Sequence, residues 1–192
     1  MRFVSSIRIE DMNIWLLAGY AGSGKTTAAT YVQSHLPNSR MTAFASRVKD
    51  DVAKQYGLER ALLDTQEGKA SFVAGTTKTV RDCLIEYAAE HKVSMNNPGI
   101  WALYVKGEIE RSPQIGHWIL HDWRYLAEYT VLQSIPNAHI HTVRIRKSCV
   151  QPLESASEHE LDSTKTEYVI DNDGSMDELR DAVQRIIESS RR

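Results

Sequence analysis

The strongest chemical signal in the sequence is a glycine-rich segment at residues 19–26, which reads G-Y-A-G-S-G-K-T. It fits the pattern G-x-x-x-x-G-K-[ST], in which backbone N–H groups surround the phosphate oxygens of a nucleoside triphosphate. In this pattern Lys25 reaches the β and γ phosphates, where it is catalytic, and the Thr26 hydroxyl coordinates Mg²⁺. The competing interpretation is a turn that only caps a helix. We predict ATP and Mg²⁺ as cofactors, with an ATP site made of Gly22, Ser23, Gly24, Lys25, Thr26 and Thr27.

A second polar group, H-D-W-R at residues 121–124, begins at the last residue of the apolar run 117–121. In open α/β sheets, ligands bind at the carboxyl ends of the strands. Asp122 is therefore predicted to hold the Mg²⁺ through water, and Arg124 to bridge the phosphoryl group in transfer. Both are predicted catalytic residues. The alternative makes Asp122 the N-cap of the next helix and leaves Arg124 in a surface ion pair.

Three basic residues, Arg144, Arg146 and Lys147, lie where the fourth predicted strand ends and a polar segment begins. Phosphoryl transfer requires cations over the developing charge, and a mobile flap can supply them. We predict that residues 147–163 form a lid and that Arg146 is catalytic. The alternative is a basic strand edge that prevents aggregation.

Further cations stand near predicted helix starts: Arg47 and Lys49 on the second helix, and Arg81 on the third. Helix N-termini bind anions, so these residues are candidates for binding the phosphate of a second substrate. Together with Arg124 they form the predicted acceptor-binding set. For each of them the alternative is a solvated surface charge.

The segments that must position these residues alternate between strand and helix patterns. Short apolar runs predict strands at 13–18, 41–45, 117–121, 139–145 and 168–170. Amphipathic spacing predicts helices at 24–36, 46–56, 79–91, 100–110, 124–134 and 175–189. This order is typical of an α/β fold with a doubly wound, five-stranded parallel sheet. We predict one domain over 1–192, with an acceptor-binding excursion at about 46–111 and the lid at about 147–163. Residues 58–76 fit either a short helix or a mobile loop.

Composition narrows the function classes. The chain has 192 residues and a formal net charge of -2, which disfavours a basic nucleic-acid coat and a polybasic membrane binder. No apolar run approaches the length of a membrane span, and the first residues lack a secretory pattern. Two cysteines are too few for a disulfide framework. We expect a cytoplasmic protein, in the host cytoplasm if the chain is viral, with no membrane partner.

Beyond the glycine-rich segment, shorter motifs follow one another along the chain. They are F-A-S-R-V-K at 44–49, V-R-D at 80–82, D-x-R at 122–124, R-I-R at 144–146, S-E-H-E-L-D at 157–162 and V-I-D-N-D-G at 169–174. In order and spacing, over roughly residues 14–187, the chain resembles the deoxynucleoside monophosphate kinases of tailed phages and related viruses. Relatives of that family include the animal-type phosphomevalonate kinases.

The resemblance implies a fold like that of P-loop nucleoside monophosphate kinases. It also implies that Lys49, Arg81 and Arg124 meet the acceptor monophosphate. It places Arg146 in the closing lid and Asn172 near the bound adenine. The expected substrates are ATP and a small molecule, and the expected state is a monomer or homodimer.

The leading hypothesis is an ATP-dependent kinase that converts a deoxynucleoside 5′-monophosphate to the diphosphate. A second is a kinase of a hydroxymethylated base, such as 5-hydroxymethyluracil, within phage DNA. The net charge of -2 disfavours DNA as the acceptor, because phosphate contacts dominate DNA affinity. Phosphomevalonate kinase activity and a non-catalytic nucleotide-binding regulator are the remaining alternatives. The sequence lacks the N-K-x-D motif expected of a GTPase.

Overall fold

The computed structural model describes residues 12–152 and 159–191. Five strands and seven helices follow one another in these residues. The strands are β1 (Met12–Ala18), β2 (Ser39–Thr42), β3 (His117–Leu120), β4 (Ala138–Arg146) and β5 (Tyr168–Asp171). The helices are α1 (Lys25–His35), α2 (Ser46–Tyr56), α3 (Gln66–Ala70), α4 (Val80–Ser94), α5 (Ile100–Glu110), α6 (Leu126–Gln133) and α7 (Met176–Ser190), and a 3₁₀ turn spans Arg60–Asp64.

All five strands form one parallel sheet in the order β2-β3-β1-β4-β5. The central strand β1 is an almost continuous apolar run because both of its faces are covered. Its residue Trp15 lies opposite Ile119 of β3 and His141 of β4. The five-stranded parallel sheet predicted from the sequence is confirmed.

Alternation along β1 divides the core between the two faces of the sheet. Ile14 and Leu16 face a cluster that includes Val52 of α2, Cys83 of α4 and Leu132 of α6. Trp15 and Leu17 face a second cluster, to which α1 and α7 contribute Val32 and Val183. Helices on both faces make the fold doubly wound, and they leave the carboxyl ends of the strands open along one rim.

The second strand differs from its prediction. The sequence indicated a strand at 41–45, whereas β2 spans Ser39–Thr42. Phe44 and Ala45 instead form a turn, because their backbone N–H groups bind the side chain of Asp122 rather than a neighbouring strand. Residues 58–76, for which the sequence left a helix or a loop open, contain the 3₁₀ turn and the short helix α3.

Two predictions concern residues outside the described ranges. The amino-terminal segment 1–11 and residues 153–158 of the predicted lid, with Ser157 and Glu158 of the S-E-H-E-L-D motif, are among them. Within the described part of the chain, no helix has the length and apolar character that a membrane span requires.

Candidate active site

The glycine-rich segment forms a loop between the central strand β1 and helix α1. Its three glycines, Gly19, Gly22 and Gly24, have φ values of 145°, 84° and 98°, a region that side chains rarely adopt. At Gly24 an added Cβ would also lie 2.3 Å from the side-chain nitrogen of Asn172. Helix α1 starts at Lys25, so its first N–H groups face into this loop. The local geometry is that of a phosphate-binding loop, here called the P-loop.

Lys25 lies across the P-loop. Its Nζ donates to the backbone oxygens of Gly19 and Tyr20, both at 2.7 Å. These two bonds hold the ammonium group against the backbone of the loop. Loop carbonyls are weaker partners than phosphate oxygens, because a hydrogen bond between two charged groups is stronger than one with a neutral acceptor. A triphosphate can therefore replace them.

Two hydroxyl groups complete the loop. Thr26, the predicted metal residue, is exposed at the start of α1. Ser23 is 1% exposed, and its Oγ has no hydrogen-bond partner within the described residues. An unpaired buried hydroxyl in a loop of converging donors fits a site completed by phosphate oxygens. The Thr26 hydroxyl and a carboxylate such as Asp122 are the hard oxygen ligands that Mg²⁺ prefers, and Mg²⁺ needs only one or two of them from the protein.

Asp122 connects two strand ends. It follows β3, and its carboxylate oxygens accept from the backbone N–H groups of Phe44, at 2.9 Å, and Ala45, at 3.0 Å. It thereby fixes the turn that begins α2. The alternative in which Asp122 caps the following helix is wrong, since the N-cap of α6 is Tyr125 and the Asp122 carboxylate binds the turn before α2. Each carboxylate oxygen of Asp122 keeps further lone-pair capacity for a metal-bound water.

The turn after Asp122 lies against the P-loop strand. The backbone N–H of Trp123 donates to the backbone oxygen of Leu17, at 3.2 Å, one residue before β1 ends. The Trp123 ring is buried, and its Nε1 donates to the backbone oxygen of Tyr125. Arg124 is thus carried by a turn that is fixed directly beside the P-loop.

Sequence reasoning missed a buried carboxyl group, Glu128, that supports this turn. One of its oxygens accepts from the backbone N–H groups of Arg124, at 2.9 Å, and Tyr125, at 3.1 Å. Burial, with the nearby charge of Asp122 acting in the same direction, raises the pKa of Glu128 to about 8. Glu128 stands in the third position of α6, where a carboxyl can bind N–H groups before the helix, and that position was the available signal.

Two predicted acceptor-binding cations lie on different helices and are each held by a polar partner. Lys49 of α2 donates to Asp64 at 2.8 Å. Arg81 of α4 donates to the side-chain oxygen of Gln66 at 2.7 Å. Both partners belong to the segment between α2 and α4, which was predicted as either a short helix or a loop. This segment therefore brings the two helices' cations towards each other.

Lys69 of α3 lies within electrostatic range of the predicted acceptor-binding cations. Burial lowers the pKa of Lys69, and the positive charges of Lys49 and Arg81 lower it further. Arg124 also lowers the pKa of Lys69, whereas the negative charge of Asp64 raises it. The structure thus brings Lys49, Arg81 and Arg124 together around Lys69, although they are far apart in the sequence. We call Lys49, Lys69, Arg81 and Arg124 the cation cluster.

Arg47 does not join the cation cluster. Its Nε binds both carboxylate oxygens of Asp51, one turn further along α2, at 2.9 Å. Its guanidinium lies 5.2 Å from the centre of the Tyr104 ring. Residues 47 and 49 point to different sides of α2, so only Lys49 faces the segment that carries Lys69. The acceptor-binding role of Arg47 stays a prediction.

On the other side of the P-loop, a cavity of about 580 Å³ opens between the ends of β4 and β5. This volume is in the range of small-molecule sites. The cavity is lined by both basic and acidic side chains, namely Arg144, Arg146, Lys147, Asp162, Asp171 and Asp173, together with Gly19, Tyr20, Ile145, Ser148 and Val150.

Asn172 stands between this cavity's walls and the P-loop. Its side-chain nitrogen donates to the backbone oxygen of Ser23 at 2.8 Å, and its backbone N–H donates to that of Arg146 at 2.7 Å. The loop after β5 is therefore tied both to the P-loop and to the end of β4. This position is compatible with the expected place of Asn172 near a bound adenine.

Part of the predicted lid, residues 147–163, packs against the rest of the protein. Leu161 is buried, and Arg144 donates to the backbone oxygens of Leu161 and Thr164. Asp162 accepts from the Tyr20 hydroxyl of the P-loop at 2.9 Å. The carboxyl-terminal part of the segment 147–163 is therefore anchored beside the P-loop. Arg146, whose partner is Asp171, lies at the rim of the cavity.

No family model matches the chain, and no curated protein matches its sequence. Among solved structures it is similar to the tunicamycin resistance protein of Deinococcus radiodurans, with a TM-score of 0.50 and 14% sequence identity. The aligned region covers 92% of this chain and 95% of that one. The chain has a doubly wound α/β fold. The similarity concerns architecture, and the nucleotide-binding role rests on the P-loop geometry.

Proposed function

We propose that the protein is an ATP-dependent kinase that phosphorylates a deoxynucleoside 5′-monophosphate to the diphosphate. The observation that carries this proposal is the convergence of Lys49, Arg81 and Arg124 on one side of the P-loop. An acceptor phosphate is a dianion and is repelled by the triphosphate that it must attack. Several cations from separate elements are needed to bring the two together, and the cation cluster supplies them.

The donor side follows from the P-loop. ATP would place its phosphates in the loop, where N–H groups at the start of α1 and the Ser23 hydroxyl bind their oxygens. Lys25 exchanges its bonds to Gly19 and Tyr20 for the β and γ phosphate oxygens. Mg²⁺, when bound by Thr26 and by Asp122 through water, would neutralise charge on the β and γ phosphates. The cavity between β4 and β5 is the candidate site for the adenosine part of ATP.

The acceptor side is prepared by the turn at 121–125. Glu128 and Asp122 fix this turn between the P-loop and α2, so Arg124 stands between the donor loop and the other cations of the cluster. An oxygen of the acceptor phosphate attacks the γ phosphorus, and the bond between that phosphorus and the β–γ bridging oxygen breaks. Arg124 offsets the charge that both phosphates share during the transfer.

The chemistry of the carboxyl groups favours a phosphate over a hydroxyl as the acceptor. A phosphate dianion is already ionised and needs no base, whereas the hydroxyl of a modified DNA base must lose a proton. The two carboxyl groups at the Arg124 turn have other roles, since Asp122 is the proposed partner of the Mg²⁺-bound water and Glu128 supports the backbone. Asp122 accepts two backbone N–H groups, and Glu128 accepts two more and is buried. The preference for a deoxynucleotide over phosphomevalonate rests on the sequence resemblance.

The test is an acceptor panel. The protein is incubated with ATP and Mg²⁺ and with each deoxynucleoside monophosphate, the ribonucleotides, phosphomevalonate, or duplex DNA containing 5-hydroxymethyluracil. Anion-exchange chromatography then measures ADP and the phosphorylated acceptor, with the Lys25→Met variant as control. We expect a diphosphate from at least one deoxynucleotide. Product from the DNA or phosphomevalonate alone, or ATP binding without transfer to any acceptor, overturns the proposal.

A further inference from the structure

Lys69 sits on a short helix that is fixed in place on several sides. Thr65 caps α3 by accepting from the Gly68 N–H at 2.9 Å. A Cβ on Gly68 would lie 2.1 Å from the backbone oxygen of Leu62, so α3 packs closely on the 3₁₀ turn. At its other end, the backbone oxygen of Ser71 accepts from the Val80 N–H at 2.9 Å, which joins α3 to the start of α4.

This placement puts the Lys69 side chain beside Arg81. Gln66 and Lys69 are three residues apart on α3 and therefore share one face of the helix. The side chain of Gln66 accepts from Arg81. Lys69 therefore lies next to Gln66 on the face of α3 that is turned towards Arg81 of α4. Lys49 of α2 is close enough for its charge to act on Lys69.

Lys49 and Arg81 each have a polar side-chain partner, whereas Lys69 has none among the described residues. Lys49 is paired with Asp64, which also binds Arg60. Lys69 is partly buried, yet the described residues give its ammonium group no hydrogen bond or ion pair. Burying a cation among other cations is unfavourable unless an anion joins them. The lowered pKa of Lys69 has the same cause.

We propose that Lys69 binds the acceptor phosphate directly and that the cation cluster selects a terminal phosphate monoester. This inference rests on the proposed function and names the chemical class that its acceptor site takes. A monoester carries two negative charges near neutral pH, because its second pKa is about 6, whereas an internal phosphodiester carries one. The described partners of Lys49 and Arg81 are Asp64 and the neutral Gln66, so a dianion would offset the positive charge that remains around Lys69.

The experiment measures the binding of the acceptor that turns over in the panel, without ATP, by titration calorimetry. Lys69→Met is expected to weaken this binding about tenfold or more, the effect of losing one charge-assisted hydrogen bond. ATP binding should change less than about twofold. Lys69→Arg should restore much of the affinity. Lys54→Met, at an exposed lysine of α2 outside the cluster, is the matched control and should leave both affinities unchanged.

A second measurement uses the unaltered protein. Amine-specific labelling followed by mass spectrometry should show Lys69 protected by the monophosphate, and by inorganic phosphate at higher concentration, but not by dimethyl phosphate. Equal protection by dimethyl phosphate overturns the selectivity for a dianion. Unchanged labelling of Lys69, or unchanged acceptor affinity in a folded Lys69→Met variant, overturns its contact with the phosphate.

The inference and the proposed function can fail separately. Transfer to a deoxynucleotide with a normal KM in Lys69→Met refutes the role of Lys69 and leaves the kinase function standing. If no acceptor turns over, the same titrations are made with each deoxynucleotide. Lys69-dependent binding of a monophosphate without transfer then refutes the kinase function and leaves the phosphate contact standing.

Discussion

Arg146 and Asp171 hold each other by two parallel hydrogen bonds, from Nε to Oδ1 at 2.7 Å and from a terminal nitrogen to Oδ2 at 3.0 Å. The two residues are register partners where β4 and β5 end. Their side chains are 59% and 62% exposed, and ion pairs this exposed add little stability. The significance of the pair is its position. It holds a guanidinium at the rim of the cavity beside the P-loop, from which it can be released to a phosphate.

Removing this guanidinium should affect turnover more than stability. Arg146→Ala is expected to lower kcat at least about tenfold while the affinity for ATP changes little, because the charge acts on the transferring group. Steady-state kinetics of the acceptor reaction and equilibrium binding of ATP measure the two effects.

The partner variant separates the ion pair from the action of the arginine. Asp171→Asn removes the competing carboxylate and keeps Arg146, so kcat should stay within about threefold of wild type. Chemical unfolding should show little change in the free energy of unfolding of either variant. Equal losses of kcat in both variants would mean that the pair matters only as a structural contact.

Lys25 should be required for transfer but not for folding. Lys25→Met is expected to cost at least about 3 kcal/mol of transition-state stabilisation, the scale of one preorganised electrostatic donor. Lys25 is not part of the buried core, so the melting temperature should change little. Rapid-mixing measurement of kcat and thermal melting check both parts. Turnover near the wild-type value in Lys25→Met would contradict a role of the P-loop in phosphoryl transfer.

Glu128 should make stability depend on pH. Its pKa is raised to about 8 in the folded protein, above the ordinary value near 4.5. The contribution of this neutral, folded carboxyl is therefore complete below about pH 4.5 and is lost as pH rises towards 8. Glu128→Gln cannot ionise and still offers an oxygen to Arg124 and Tyr125. The stability of the variant relative to wild type should rise by about 2 kcal/mol between pH 5.5 and 7.5.

Urea unfolding in EDTA at the two pH values measures this difference. Glu160→Gln is the matched control, because Glu160 also accepts a backbone N–H at the start of α6 but is exposed. The control should follow the wild-type pH dependence. The same pH dependence in wild type and Glu128→Gln would show that Glu128 is ionised in the folded protein.

The sheet and the P-loop could be predicted because their signals are local. An apolar run followed at once by glycines and a helix pattern describes β1, the P-loop and α1 within 25 residues. The second strand was misplaced because Phe44 and Ala45 are apolar yet bind the side chain of Asp122, which is 77 residues away from Ala45. Hydrophobic pattern alone does not reveal such a contact.

The cation cluster was predictable only in part. Lys49, Arg81 and Arg124 were found from their positions near helix starts and strand ends. Lys69 was missed because the segment 58–76 has no strong periodicity, and its short helix depends on packing against the 3₁₀ turn and α4. Arg47 was included because spacing along a helix start does not tell which side of α2 faces the cluster.

The most direct test of the central claim, that the P-loop and the cation cluster hold two phosphates in line, is the binding of a bisubstrate analogue. Titration calorimetry is made with adenosine joined through a phosphate chain to the 5′ oxygen of the preferred deoxynucleoside. Both ends are held at once if the sites face each other, so the analogue should bind at least about a hundredfold more tightly than ATP or the monophosphate. Lys25→Met and Arg81→Ala should each remove most of that gain. An analogue that binds wild type no more tightly than ATP would contradict the account.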